Sequence, residues 1–507
     1  MANPVGIDLG TTFCAVATIN ASGQPEILRN SDGQSITPSV VLFDGGEAVV
    51  GQQAKLQRAA FPDDVVEFVK RQMGSDSWRF YPSVGDESYT PEGISAIILK
   101  RLAADAGQVL GSTVKDVVIT VPAYFDDAQR KATRDAGEIA GLSVLSVINE
   151  PTAAAVSFGV EQDYNGTVLV YDLGGGTFDV TLLKARDGDF DILQTDGDRN
   201  LGGFDFDNAV IGWIKAEFAA QTGQTVEGAE QEAQLRDRAE QAKHRLSSSE
   251  QAPVFVSAGG RNAKLVLTRE TFEGITENLL ARTEMLVEDV VDGAGLSFSD
   301  IDKVLLVGGS TRMPMVVKML TRLTGRAPDQ SIHPDEAVAK GAAIVAALRG
   351  GGGGRPTPVT PAGHSLGISD VVSHGLGVVT IDATTGRDVN SLVVPPNSKI
   401  PTKRSEVFYT IAPNQTELLV QVTEGEDEDL RYVRILGSSR LKLQGHPEQG
   451  SPLRVVFACD IDGILHIEVV DLVDDKALGE FEIDRASNLD HDEIERMRDA
   501  VSNLDVQ

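Results

Sequence analysis

The chain has 507 residues, 41% apolar and 24% charged, and a net charge of −30 from 45 basic and 75 acidic side chains. Such a composition belongs to a globular protein of about three domains, and its acidity excludes nucleic acid or anionic membrane as the main partner, since both would repel it. Two cysteines, Cys14 and Cys459, exclude a disulfide framework, no Cys/His spacing suggests zinc, and no apolar run approaches a membrane span.

Strand-like and helix-like segments alternate from residue 1 to about 348. Residues 4–7 form the first apolar run, directly after Met1-Ala2-Asn3, with no basic leader; a cytoplasmic address is expected. Residues 117–121 read as a buried strand and 126–139 as a helix. Residues 167–171 and 304–307 read as further buried strands. The alternation predicts an α/β domain over 1–348. Arg349 is followed by five glycines and then a Pro-rich run to Pro361, which predicts a linker over 349–370. Over 371–487 the apolar period becomes two, with Gly, Pro, Asn and Asp at the turns, as in an antiparallel β-sandwich. Asp490-His491-Asp492-Glu493 has capping-box character and opens a short helix within 488–507, through Ile494, Met497 and Val501.

Three Gly-rich stretches each follow one of the apolar runs: Gly6-Ile7-Asp8-Leu9-Gly10-Thr11-Thr12, Asp172-Leu173-Gly174-Gly175-Gly176-Thr177-Phe178-Asp179 and Val307-Gly308-Gly309-Ser310-Thr311-Arg312. Glycine lets a backbone approach phosphate closely, and successive N–H groups make an anion-binding concavity. Thr11, Thr12 and Thr177 add hydroxyls, and Asp8 and Asp172 suit the waters of a hydrated Mg²⁺. The first two stretches share Asp-Leu-Gly, Thr and Phe, so they read as equivalent hairpins of two related halves facing each other across a cleft. Together the three point to ATP. Gly308 to Thr311 is expected at a helix N-terminus. Glu150, before a Pro-started helix, is either a capping acid or a carboxylate that orients water. Lys70 is by spacing alone a surface lysine, Asp335 a cap or a nucleoside-site acid, and the seven histidines are mostly surface groups.

The strings GIDLGTT, VITVPAYFDDAQRKAT, INEPTAAA, YDLGGGTFDV, LGGFDFD, EQAKHRLSSS, LLVGGSTRMP, HPDEAVAKGAA and IPTKRSEVF resemble the Hsp70 chaperone family, in family order and over nearly the whole chain. The resemblance implies a two-lobed, actin-like (ribonuclease-H-like) ATPase domain, a peptide-binding β-sandwich and the start of a helical lid, most of which is missing. It implies ATP or ADP with Mg²⁺, and admits K⁺. Carried over by position, Lys70 matches a catalytic lysine near the γ-phosphate, Glu150 the water-orienting acid, and Asp8 and Asp172 the magnesium-water carboxylates. Gly10, Thr11, Thr12 and Phe13, then Gly174, Gly175, Gly176 and Thr177, match the phosphate loops. Gly202 and Gly203, Glu240, Lys243, His244 and Ser247, and Gly308, Gly309, Ser310, Arg312 and Asp335 match the rest of the nucleotide pocket. Pro122 and Arg130 match a relay that reports nucleotide state. Val378, Ile381, Phe408, Ile411, Leu418 and Val420 fall where the family lines its peptide cleft; by periodicity alone the same six read as sandwich core. Implied partners are extended apolar polypeptide, a J-domain co-chaperone and a nucleotide exchange factor.

The chain departs from the family at several points. His244 stands where an Arg covers adenine, so a neutral imidazole would stack with less cation–π attraction. Ser146 replaces an Arg that couples domains and co-chaperone. The linker retains only Gly367-Ile368-Ser369-Asp370-Val371, with little apolar surface to bury. Residues 71–91 are shortened, and Leu418 is bulkier than the usual valine. Two other readings remain at this stage: a small-molecule kinase on the same fold, and a nucleotide-gated binding or exchange protein with weak hydrolysis.

Overall fold

The computed structural model describes residues 3–85, 87–162, 164–329, 331–350, 358–443, 448–460, 464–483, 489 and 491–507. Four of the five linker glycines, 351–354, and the capping acid Asp490 therefore lie outside the described residues.

Two sheets organise the N-terminal two-thirds. In the first, Pro25–Leu28, Phe13–Ile19 and Val5–Leu9 run antiparallel, and Val5–Leu9 continues in parallel to Asp116–Val121 and Ser143–Asn149. In the second, Asp189–Asp198, Phe178–Arg186 and Gly166–Leu173 are antiparallel, and Gly166–Leu173 continues in parallel to Lys303–Val307. The same order appears twice, as two related halves require. The central strands are apolar on both faces because helices cover both; Val117, Val118, Ile119 and Val121 are wholly enclosed.

Two alanine-rich helices, Glu150–Gln162 and Ala337–Arg349, lie between the halves and are buried nearly all round. They cross so closely that a Cβ on Gly341 would sit 1.8 Å from the Ala153 carbonyl oxygen. The helix Asp127–Ile139 starts at a true capping box, with Asp126 accepting from the Gln129 amide and Gln129 reaching back.

The C-terminal region is a sandwich of two four-stranded antiparallel sheets. One is Asp388–Val394, Leu376–Ile381, Glu417–Glu424 and Arg434–Lys442; the other is Thr402–Tyr409, Pro452–Cys459, Leu465–Asp471 and Lys476–Ile483. Between the regions, the strand Gly367–Val372 pairs in parallel with Asp189–Asp191 of the second N-terminal sheet and antiparallel with Ser398–Ile400. The segment with little apolar surface thus docks through a backbone ladder. Val371 is buried beside it and Ile368 half-buried.

The final helix, His491–Asn503, packs on Pro91–Leu110 and Asp127–Ile139, burying Met497 and Val501 against the first half. Lys100 donates to the carbonyls of Val501 (2.8 Å) and Leu504 (3.0 Å), a cation at the negative end of that helix. Asp505–Val506 then pairs in parallel with Glu47–Ala48.

Candidate nucleotide site

The two Asp-Leu-Gly hairpins close at Leu9↔Cys14 and Leu173↔Phe178 and meet tip to tip. A Cβ on Gly175 would fall 2.3 Å from the Thr12 side chain, and one on Gly176 2.4 Å from that of Thr11. Gly308, at φ +81, brings the third stretch against Leu173. The Ser310 hydroxyl donates to the Gly174 carbonyl at 2.9 Å, as does the Gly203 amide at 3.0 Å. Gly309–Arg312 forms a 3₁₀ turn, and the helix expected to begin there starts only at Pro314. Between the halves lies a cleft of about 450 Å³.

At its floor Lys70 is 4% exposed and ion-paired with Glu150, which opens its helix at the end of Ser143–Asn149. The default surface position of Lys70 is overturned: the turn Val69–Gln72 points it inward, and Phe125 lies beneath it, 5.8 Å from the ammonium. Burial opposes its charge, but Glu150 and Asp8 outweigh burial and hold it above the ordinary range. Burial, then the charge of Glu150, pushes the Asp8 and Asp179 carboxyls to about 7 and Asp172 well above its usual value. One Asp179 oxygen is enclosed without a hydrogen bond. These carboxylates outnumber the single ammonium in a water-poor site, and such a donor set fits a divalent cation. Among the described residues no group of three ligating side chains converges to chelate one directly. Asp8 and Asp172 fit an ion that keeps its waters.

On the other wall the helix Ala229–Ser248 presents Glu240, Lys243, His244 and Ser247 from one face, as their spacing requires. Lys243 is buried, 2.9 Å from Asp207 and 3.0 Å from the Gly203 carbonyl. Burial would raise Glu240, but Lys55, at 2.7 Å, and Arg58 hold it below the usual range. Burial, then Lys243, pushes the His244 imidazole down, so it is neutral near pH 7. Arg312 pairs with Asp335 at 2.6 Å. The residues expected here line the cleft, except Gly176 and Gly202, which lie behind it against each other. Sequence reading missed Asp207, Lys55, Arg58, Phe68, Phe204 and Arg236, all of which line it. Phe204 and Asp207 lie in the same short string as Gly202-Gly203 and were within reach of a local reading; Lys55, Arg58, Phe68 and Arg236 are set by approach of the two halves.

The site connects to the linker. Asn149, next to Glu150, accepts from Arg130 at 2.5 Å and donates to both Asp370 oxygens at 2.9 and 3.0 Å. Ser373 donates to the Ala123 carbonyl at 2.6 Å, beside Pro122. His374, against the expectation of a surface group, is buried against Tyr124, with Nε2 3.2 Å from its carbonyl. Ser146 is buried in its strand. In the sandwich, Val378 and Val420 lie in the core, Phe408 and Leu418 are half-buried against it, and Ile381 and Ile411 are exposed at 45% and 58%.

Comparison with known proteins agrees with this geometry. The sequence model of the family described as Hsp70 protein matches residues 4–81 and 79–507. The "Chaperone protein DnaK" of Thermotoga petrophila and that of Thermotoga maritima are each 41% identical over 516 residues, covering 99% of this chain and 84% of the relative. That of Thermotoga neapolitana is 42% identical over 481 residues, covering 92% and 78%. The chain therefore belongs to the Hsp70 family, and is an ATP-dependent chaperone whose actin-like domain is an ATPase and whose family binds nucleotide with a divalent metal.

Proposed function

We propose that the cleft holds ATP with its phosphates between the two hairpin loops and its base between His244 and Arg312. The observation that carries this reading is the burial of Lys70, Glu150 and Asp172, with Asp8 half-buried beside them, where the two loops touch. Mg²⁺ held through water by Asp8 and Asp172 would neutralise charge on the transferring phosphoryl group. Glu150 orients the attacking water and takes up its proton, and Lys70 counters charge on the γ-phosphate oxygens. The loop hydroxyls of Thr11, Thr12 and Thr177 and the loop amides hold the phosphates in line. K⁺ could share the same acidic floor.

The domain limits we assign are 1–348 for the ATPase, 349–370 for the linker, 371–487 for the sandwich and 488–507 for the final helix. The sandwich takes an extended apolar polypeptide by backbone hydrogen bonds and a side-chain pocket. Ile381 and Ile411 flank it, Phe408 and Leu418 form its walls, and Val378 and Val420 its floor. Hydrolysis acts on peptide affinity through Asn149, Arg130 and Asp370. J-domain and nucleotide-exchange partners fit this cycle. A chain with only two cysteines, Cys14 and Cys459, both buried, suits a reducing compartment, and we assign the cytoplasm; among the described residues no helix is long and apolar enough to cross a membrane.

Single-turnover hydrolysis tests the site. Lys70→Ala should slow it by about 100-fold while nucleotide still binds, the scale of losing one charge-stabilising donor. Unchanged hydrolysis would remove Lys70 from the mechanism.

A further inference from the structure

Two aromatic side chains that the phosphate chemistry does not require meet across the cleft. Phe68 comes from the first half and Phe204 from the second. Their ring centroids are 4.7 Å apart and their planes at 62°, edge to face. Arg236, one helical turn before Glu240, covers both rings, 4.5 Å from the Phe204 centroid and 5.5 Å from that of Phe68. Arg71 lies 4.6 Å from the Phe204 centroid and 3.3 Å from Asp205. Cations over aromatic faces attract, most strongly where water is excluded. One Arg236 nitrogen, Nη1, is enclosed without a hydrogen-bond partner, while Nη2 donates to Asn208 at 3.1 Å.

Two observations tie this cluster to the chemistry. Phe68 has φ +59 and ψ 23, a left-handed conformation that a bulky residue keeps only where its surroundings hold it. It caps the 3₁₀ turn that carries Lys70 two residues later. The Phe204 amide donates to the Gly175 carbonyl at 2.8 Å, which anchors its ring to the second phosphate loop. The rings thus join the turn bearing Lys70 to the loop it faces.

We propose that Phe68, Phe204 and Arg236 form a clasp between the lobes, made of positioning residues that slow nucleotide release and set Lys70 for hydrolysis without touching phosphate. This rests on the nucleotide reading above. Opening the lobes must pull Arg236 off Phe68 and Phe68 off Phe204. Once free, Phe68 loses what holds its backbone, and the Lys70 turn relaxes with it. Release and hydrolysis are thereby linked through one contact.

The test is release of a fluorescent ADP analogue from the intact chain, chased with excess ADP in stopped flow, beside single-turnover hydrolysis. Phe204→Leu keeps apolar bulk and removes the ring; release should quicken and hydrolysis slow, each by about five- to tenfold. Phe204→Tyr keeps the ring and should stay within about twofold of the native chain. Arg236→Gln, changed from the helix side, should reproduce the Leu variant and guards against a folding defect at position 204. Native kinetics in both Phe204→Leu and Arg236→Gln would overturn the clasp while leaving nucleotide binding intact, and so would a Tyr variant as impaired as the Leu variant. A native chain that takes up no ADP analogue would overturn the nucleotide reading, and the clasp with it.

Discussion

Asp370→Ala should weaken the link between the domains. The Asp370 carboxylate accepts from Asn149 at 2.9 and 3.0 Å and from the Val371 amide at 2.9 Å, with Arg130 adjacent. Burial pushes its carboxyl up, and the Arg130 charge works against that rise. A hydrogen bond to a charged group contributes about 1.5–3 kcal/mol, and its loss here also strands the Asn149 amide. The carboxylate's own desolvation cost disappears with it, so the net loss to the docked arrangement is about 2 kcal/mol. The strand ladder from Gly367 to Ser369 stays in place, so docking weakens without vanishing. A loss of about 2 kcal/mol lowers the docked-to-undocked ratio by about 30-fold. Energy transfer between dyes on the ATPase domain and the sandwich, in saturating ATP, measures that ratio. Asp370→Asn keeps one acceptor oxygen and should lose less than about fivefold. A shift below about threefold for Asp370→Ala would show that the ladder alone holds the linker, and would refute the role given to Asn149.

Glu424 of the sandwich accepts the Asp127 amide at 3.2 Å, and burial, then Asp127 and Asp126, pushes its carboxyl well above the usual value. A carboxyl raised on docking favours docking while protonated, so this contribution is full below the ordinary pKa and is lost as pH rises through the docked value. Docking should therefore weaken as pH rises above the ordinary carboxylate range, and Glu424→Gln, which keeps the acceptor oxygen, should flatten the profile and dock more fully at the alkaline end; identical profiles would contradict this. Gly341→Ala places a methyl group 1.8 Å from the Ala153 carbonyl oxygen, between two helices with no room to part. It should destabilise the ATPase domain by about 1–3 kcal/mol, seen as a Tm lowered by several degrees in calorimetry, and an unchanged Tm would show that the helices can separate freely.

Much of the fold and site was legible in the sequence because its signals are local. The apolar runs at 117–121 and 167–171 became strands, and the segment read as a helix over 126–139 became the helix Asp127–Ile139. The paired Asp-Leu-Gly stretches announced twin hairpins because glycines and hydroxyls at strand ends have few other uses. Lys70 was not legible from its neighbours, since nothing in Phe68-Val69-Lys70-Arg71 states which way a 3₁₀ turn will face; only resemblance singled it out. The six sandwich positions were ambiguous for a related reason. Period two marks a buried face and says nothing of whether peptide or protein covers it, and Val378 and Ile381 have different exposures in one strand.

The sequence by itself determined which segments become strands and helices and which glycine-rich stretches stand at strand ends, because short-range periodicity and glycine placement decide those matters. Only the tertiary structure decided that Lys70 is buried, that Gly367–Val372 joins the ATPase sheet, that the last helix lies on the first lobe, and that Phe68, Phe204 and Arg236 meet. These contacts join residues tens to hundreds of positions apart. Their energy depends on how two lobes and a sandwich close on one another, and no local pattern along the chain encodes that closure.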